Sequence, residues 1–169
     1  MELRLEGRAR RIGDNINTDY IISSRRKRET LDESVLKRYL LETVDPKFAG
    51  SVRPGDVLVA GRNFGGGSAM EIAATVILAA RITAVLAQSF SRTFFRNAIN
   101  NGLVPVECDT GSIHEGDHVA VVLAEGRLEV QNRSRRESTT GAPIAGIMLE
   151  ILEAGGLVEY VQRHGRLGA

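Results

Sequence analysis

The chain has 169 residues, 43% hydrophobic and 25% charged, the balance of an ordinary folded protein rather than a disordered one. With 22 basic against 21 acidic residues the net charge is +1, so no global field attracts nucleic acid, and 5% aromatic content without tryptophan gives no base-stacking platform. A lone cysteine, Cys108, excludes an internal disulfide and a cysteine-built metal site, and no apolar run reaches membrane-helix length, so one cytoplasmic domain over residues 1–169 is expected.

Leu3 to Ile12 mixes alternating and charged residues and is expected to begin a strand that ends at Gly13-Asp14-Asn15. Asp14 to Asp19 has a superficial likeness to a calcium loop. It lacks the acidic or amide residue at the third position, the glycine at the sixth and the glutamate at the twelfth, so a turn held by side-chain-to-backbone bonds is the better account. The basic runs Arg25-Arg26-Lys27-Arg28 and Arg133-Ser134-Arg135-Arg136 look, on composition, like solvated loops. Thr30-Leu31-Asp32-Glu33 is a helix-start signal with Thr30 as the candidate cap, after which Leu31, Val35, Leu36, Tyr39 and Leu40 recur at helical spacing.

Pro54-Gly55-Asp56 marks a turn, and Val57 to Ala60 is a short apolar run of the buried-strand kind. A glycine loop from Gly61 to Gly67 then leads into a helix over Ala69–Ala80, a strand over Ile82–Ala87, a helix over Ser91–Asn100 and a strand over Leu103–Glu107. That alternation is the pattern of a parallel sheet with covering helices. Val119–Leu123 and Arg127–Gln131 form a hairpin around Glu125-Gly126. Ile144–Ala154, Gly155-Gly156 and Leu157–Gln162 make a closing helix with a glycine break. The expected class is α/β, with a mostly parallel sheet, covering helices and extra antiparallel strands.

Chemistry concentrates in Gly61-Arg62-Asn63-Phe64-Gly65-Gly66-Gly67-Ser68-Ala69-Met70-Glu71. A glycine-rich loop between strand and helix lets backbone amides converge on an anion. The glycine spacing does not fit a dinucleotide fingerprint, and no Gly-Lys-Ser/Thr follows for a phosphate loop, so nucleotide cofactors are not expected. Ser68 has two compatible roles: a helix cap, since Ser68-x-x-Glu71 matches the capping box, or a hydroxyl held among amides that stabilise its alkoxide as a base. His114, His118 and His164 show no metal-ligand spacing and are expected at the surface, and Cys108 is expected to be a small buried side chain.

Three separated segments resemble one family in order. Gly13 to Ile22 resembles the opening motif of the small subunit of isopropylmalate isomerase; Val57 to Ser68 and Ala87 to Leu103 resemble its central block; Leu149 to Leu157 resembles its closing helix. The likeness runs from about Gly7 to about Gly165, nearly the whole chain. The family, shared with homoaconitase, is the swivel domain of the aconitase superfamily. The resemblance implies a large partner subunit carrying a 4Fe–4S cluster, an active site at the interface, and dehydration and rehydration of a hydroxy-di- or tricarboxylate. It also implies that this chain supplies a serine base and basic groups for substrate carboxylates but no iron ligand; from composition and charge, neither membrane nor nucleic acid is expected as a partner.

Two departures from the family pattern stand out. Where the family reads Gly-Cys-Gly-Ser-Ser-Arg-Glu, this chain has Gly65-Gly66-Gly67-Ser68-Ala69-Met70-Glu71. Ser68 matches the base with Gly67 beside it at the substrate, Ala69 replaces a serine that would contact substrate, and Met70 replaces an arginine that would hold a carboxylate. Loss of such a charge-assisted pair costs roughly 1.5–3 kcal/mol of substrate binding. Where the family's specificity loop reads approximately Ile-Ile-Pro-x-Arg-Tyr-Leu, this chain has Ile21-Ile22-Ser23-Ser24-Arg25-Arg26-Lys27, followed by Arg28. Arg25, Arg26 and Arg28 are therefore candidate carboxylate-binding groups, suited to a more anionic substrate. Two expectations stand: a hydro-lyase subunit with Ser68 as base and an altered substrate, or a non-catalytic subunit that keeps only the interface.

Overall fold

The structure, a computed structural model, describes residues 2–144 and 146–166. Seven strands form one sheet in the order β4-β3-β2-β1-β5-β6-β7. They are β1 (Glu2–Arg11), β2 (Val57–Val59), β3 (Ala84–Ala87), β4 (Val104–Glu107), β5 (His118–Ala124), β6 (Arg127–Asn132) and β7 (Glu137–Gly141). Pairings β1–β2, β2–β3 and β3–β4 are parallel; β1–β5, β5–β6 and β6–β7 are antiparallel. The expected α/β class holds, with the antiparallel additions amounting to half of the pairings.

The helices are α1 (Thr18–Ile21), α2 (Ser24–Glu29), α3 (Glu33–Leu36), α4 (Phe48–Ser51), α5 (Ile72–Ala79), α6 (Arg92–Asn100), α7 (Ile147–Ala154) and α8 (Leu157–His164), with a 3-10 turn over Lys37–Tyr39. The parallel strands are buried on both faces, which is why they appear in the sequence as continuous apolar runs. Leu58 and Val85 face one core with Phe64, Ile77, Leu36 and Leu40; Val57, Val59 and Leu86 face a second with Val106, Val121, Leu128 and Tyr160. Trimming a fully buried leucine such as Leu58 to alanine costs about 2–5 kcal/mol. β5 and β6 contribute only to the second core; β6 alternates buried with more open residues, whereas β5 is buried from Val119 through Val121.

Several local expectations are corrected. Thr30 is not a helix N-cap: it closes α2, and Asp32 caps α3 by accepting from Ser34 N at 2.9 Å. The Thr30 hydroxyl is engaged one turn earlier, accepting from Asp32 N at 3.0 Å. The run Arg25–Arg28 is not a loop but the body of α2, capped by Ser23 and tied down by its own side chains. The third antiparallel strand, β7, has no apolar alternation to announce it and forms by backbone pairing at the sheet edge. The first closing helix begins at Ile147 rather than Ile144. Ala145, part of that expected helix, lies outside the described residues, as do Met1 and residues 167–169 at the ends of the expected domain.

β1 changes partners partway along. Residues Glu2–Arg8 pair with β5 and Ala9–Arg11 with β2. At the changeover Gly7 allows close backbone approach, since a Cβ there would overlap the Gly55 carbonyl oxygen. An ionic hub fills the same place. Arg8 forks onto Asp56 at 3.2 and 2.8 Å; Arg10 reaches Glu115 at 2.8 Å, Asp56 at 3.5 Å and the Ser51 hydroxyl at 2.8 Å, with its guanidinium 4.5 Å above the Phe48 ring. Burial alone would raise the Asp56 pKa, but Arg8, the Arg53 amide and Arg10 hold it below the usual carboxylate range.

Candidate functional site

The loops leaving the C-terminal ends of the parallel strands β1, β2 and β3 converge, the position where open α/β sheets bind ligands. The glycine loop after β2 is stitched to both neighbours. On the β1 side, Gly65 N donates to Ile16 O at 2.7 Å, Thr18 N to Gly66 O at 2.8 Å, and the buried Thr18 hydroxyl to Ser68 O at 3.0 Å. On the β3 side, Phe64 N donates to Ser89 O at 3.0 Å and the Ser91 hydroxyl to Gly65 O at 2.8 Å. Gly65 has φ +83°, and a Cβ there would overlap the Phe94 side chain, so the loop needs glycine to pass over α6. Phe64, Phe90 and Phe94 make a mutually packed aromatic floor beneath it.

Ser68 is exposed and does not cap the following helix, contrary to the capping-box expectation. The helix starts four residues later, at Ile72, and Glu71 occupies the cap position without a side-chain bond. The physical reason lies in the Thr18 hydroxyl, which claims the Ser68 carbonyl, the acceptor of the first bond in a helix capped at Ser68. The Ser68 hydroxyl itself makes no hydrogen bond among the described residues. Nor do the backbone N–H groups of Gly66, Gly67, Ser68, Ala69 and Met70, which leaves five consecutive donors around one serine. Such a run of unpaired amides leading into a helix suits a developing oxyanion.

The predicted cations divide. Arg26 is committed: it forks onto Glu42 at 2.9 and 3.1 Å and stacks on the Tyr39 ring at 3.7 Å, so it anchors α2 rather than waiting for substrate. Arg25 is exposed and lies 3.9 Å from Glu29; Arg28 is exposed, with no ion pair among the described residues. Asp19 accepts from Ser24 N at 2.8 Å and from the Ser24 hydroxyl, bonds that hold its pKa below the ordinary value, helped by Lys27 and Arg28 nearby. Lys27, which was not among the expected site residues, reaches across to the loop and places Nζ 2.8 Å from Met70 Sδ. Nothing in a run of four basic residues distinguishes the one that faces the loop; only the rotation of α2 set by Arg26 does.

The residues of this chain do not fit an iron–sulfur cluster. Cys108 is 8% exposed, and burial together with the charge of Asp109 pushes its thiol up to about 12, far from the thiolate that iron requires. Among the described residues no three His, Cys, Asp or Glu side chains gather as a metal site. His114, His118 and His164 are exposed, and His118 bonds Glu6 at 2.8 Å. The second basic run is largely neutralised, Arg133 by Glu6 and Arg135 by Asp117, both at 2.8 Å. No helix among the described residues is long and apolar enough to cross a membrane.

Comparison with known proteins places this arrangement. Residues 6–111 match the aconitase C-terminal domain family. The chain is 43% identical over 162 residues to the 3-isopropylmalate dehydratase small subunit of Halothermothrix orenii, covering 95% of this chain and 96% of that protein. It is 40% identical over 161 residues to the isopropylmalate/citramalate isomerase small subunit of Methanocaldococcus jannaschii, covering 94% of each. The crystal structure of a 3-isopropylmalate dehydratase from the same archaeon superposes with a TM-score of 0.90 at 38% identity, over 96% of both chains.

Proposed function

We propose a function on one premise: the chain belongs to the aconitase C-terminal domain family, among the small subunits of 3-isopropylmalate dehydratase. It acts as one swivel-type domain, in the cytoplasm, and works only with a large partner subunit that closes the site over the glycine loop and carries the 4Fe–4S cluster. Together they dehydrate and rehydrate a hydroxy-dicarboxylate or tricarboxylate. The observation that carries this is the exposed Ser68 hydroxyl set among five unpaired backbone amides at the C-terminal edge of the parallel strands.

In this chain's share of the reaction, the amides stabilise Ser68 Oγ as an alkoxide, which takes the proton from the carbon beside a substrate carboxylate. The resulting hydroxyl returns the proton when water adds back in the opposite sense. Thr18 fixes the loop by holding the Ser68 carbonyl, so Oγ moves little between the two half-reactions. Gly67 and Ala69 leave the approach to Ser68 open, and Met70 gives it an apolar wall where a charged side chain is absent. Arg25 and Arg28 face solvent on α2, the helix whose Lys27 reaches Met70, and supply long-range attraction for a dianion. These substitutions favour a substrate other than the family's usual one, and the two-substrate name of the M. jannaschii relative shows that such variation exists among relatives.

A second possibility is favoured by the same two residues: Ala69 and Met70 would suit a non-catalytic subunit that keeps only its interface. Restoring Ala69→Ser with Met70→Arg separates the two, because a degenerate subunit is silent on every diacid until restored. The subunit assignment is tested by an anaerobic pull-down of the tagged chain with a visible spectrum of the eluate. The expected result is a larger partner with broad brown iron–sulfur absorption. A colourless single chain, with its partner demonstrably expressed, overturns the assignment.

A further inference from the structure

We propose that the Lys27 ammonium is the carboxylate-binding cation of this site, an assignment that rests on the hydro-lyase reading above. From Asn63 to Ala80 the chain has no basic residue, so the Ser68 end of the loop brings no cation of its own to a dianionic substrate; Arg62 stands at the opposite end of the loop, where its backbone bonds Asp14 and Asn15. The cation that reaches the Ser68 end is Lys27, whose Nζ lies 2.8 Å from Met70 Sδ, two residues beyond Ser68. A thioether is a weak acceptor, whereas an ammonium has three strong donors, so this contact leaves most of the bonding capacity of Lys27 unused. No carboxylate among the described residues lies within ion-pair distance of it, although Asp19 feels its charge.

The surrounding residues fix this placement. Ser23 caps α2, Asp19 holds its first turn through Ser24, and Arg26 locks its rotation against Glu42 and Tyr39. The next residue, turned by about 100°, then points at the glycine loop. Arg26 thus acts as the positioning residue and Lys27 as the ligand-binding one. An incoming carboxylate replaces the sulfur as acceptor and forms a charge-assisted bond over the amide-lined loop.

The test uses the purified heteromer, with the hydroxy-diacid it turns over fastest in a screen that includes 3-isopropylmalate and citramalate, and with malonate, an unreactive dicarboxylate, for calorimetric binding. Lys27→Met is expected to raise KM and the malonate Kd about tenfold to a hundredfold, with kcat within about threefold. Lys27→Met combined with Met70→Arg is expected to restore both, because it returns a cation to the same spot from the other side of the contact. KM and Kd unchanged in Lys27→Met overturn the assignment, as does a wild type that neither turns over nor binds malonate. Lys27-dependent malonate binding without turnover sustains the lysine assignment and overturns the hydro-lyase reading instead.

Discussion

Two charged regions of this protein lie along the same strand and treat their charges differently. At the middle of β1, where the strand passes from antiparallel to parallel partners, the charges meet counter-charges: Arg8 and Arg10 on Asp56, Arg10 on Glu115, and Arg135 on Asp117. Past the C-terminal end of β1, the groups around the glycine loop are left unmatched among the described residues: Lys27 against a sulfur, the Ser68 hydroxyl without a partner, five amides without acceptors. Matched charges resist water and hold the sheet together; unmatched ones lower the cost of admitting an anion. Arg26 shows that the distinction is made residue by residue, since it sits in the same basic run as Lys27 yet is fully engaged.

This contrast is broken most severely by Asp56→Ala. The variant leaves the buried Arg10 guanidinium facing only Glu115 and Ser51 and is expected to cost about 3–5 kcal/mol. Thermal unfolding should show a fall in Tm of about 10 °C or more, while malonate binding by the surviving folded heteromer stays at the wild-type value. An unchanged Tm would mean that the hub does not hold the sheet.

A smaller effect appears on acidification. Burial would raise the Asp117 pKa, but Asn132, the His114 amide and Arg135 outweigh it and hold the group at about 2. Because the folded-state value lies below the unfolded one, the contribution of Asp117 is complete above the unfolded pKa of about 4. It is lost as the pH falls from there through about 2. Tm measured against pH should therefore decline over that window, and Asp117→Asn should be less stable near neutrality with a shallower acid decline. An identical acid limb in the variant contradicts the assignment.

The parallel half of the sheet was legible in the sequence because strands buried on both faces must be apolar throughout, as in Val57-Leu58-Val59, and the helix expected over Ser91–Asn100 forms over Arg92–Asn100 with Ser91 as its cap. β7 was not legible: Glu137-Ser138-Thr139-Thr140-Gly141 is mostly exposed and held by backbone bonds alone. The glycine loop and Ser68 were visible as composition, but the end of the loop was not. That boundary is set by Thr18, fifty residues away in sequence, a tertiary contact that overrides the local capping signal. The division of the basic run into anchor and ligand group was equally hidden, because it depends on where Glu42 and Met70 lie after folding.

The central claim is that Ser68 is the base of a hydro-lyase assembled from this chain and a large subunit. The most direct test is the rate of unsaturated diacid formation by the complete heteromer from the hydroxy-diacid it turns over fastest, wild type against Ser68→Ala. Removal of the base is expected to lower kcat by at least about a hundredfold, with the same partner recovered and malonate bound as before. A Ser68→Ala heteromer that turns over at close to the wild-type rate contradicts the account.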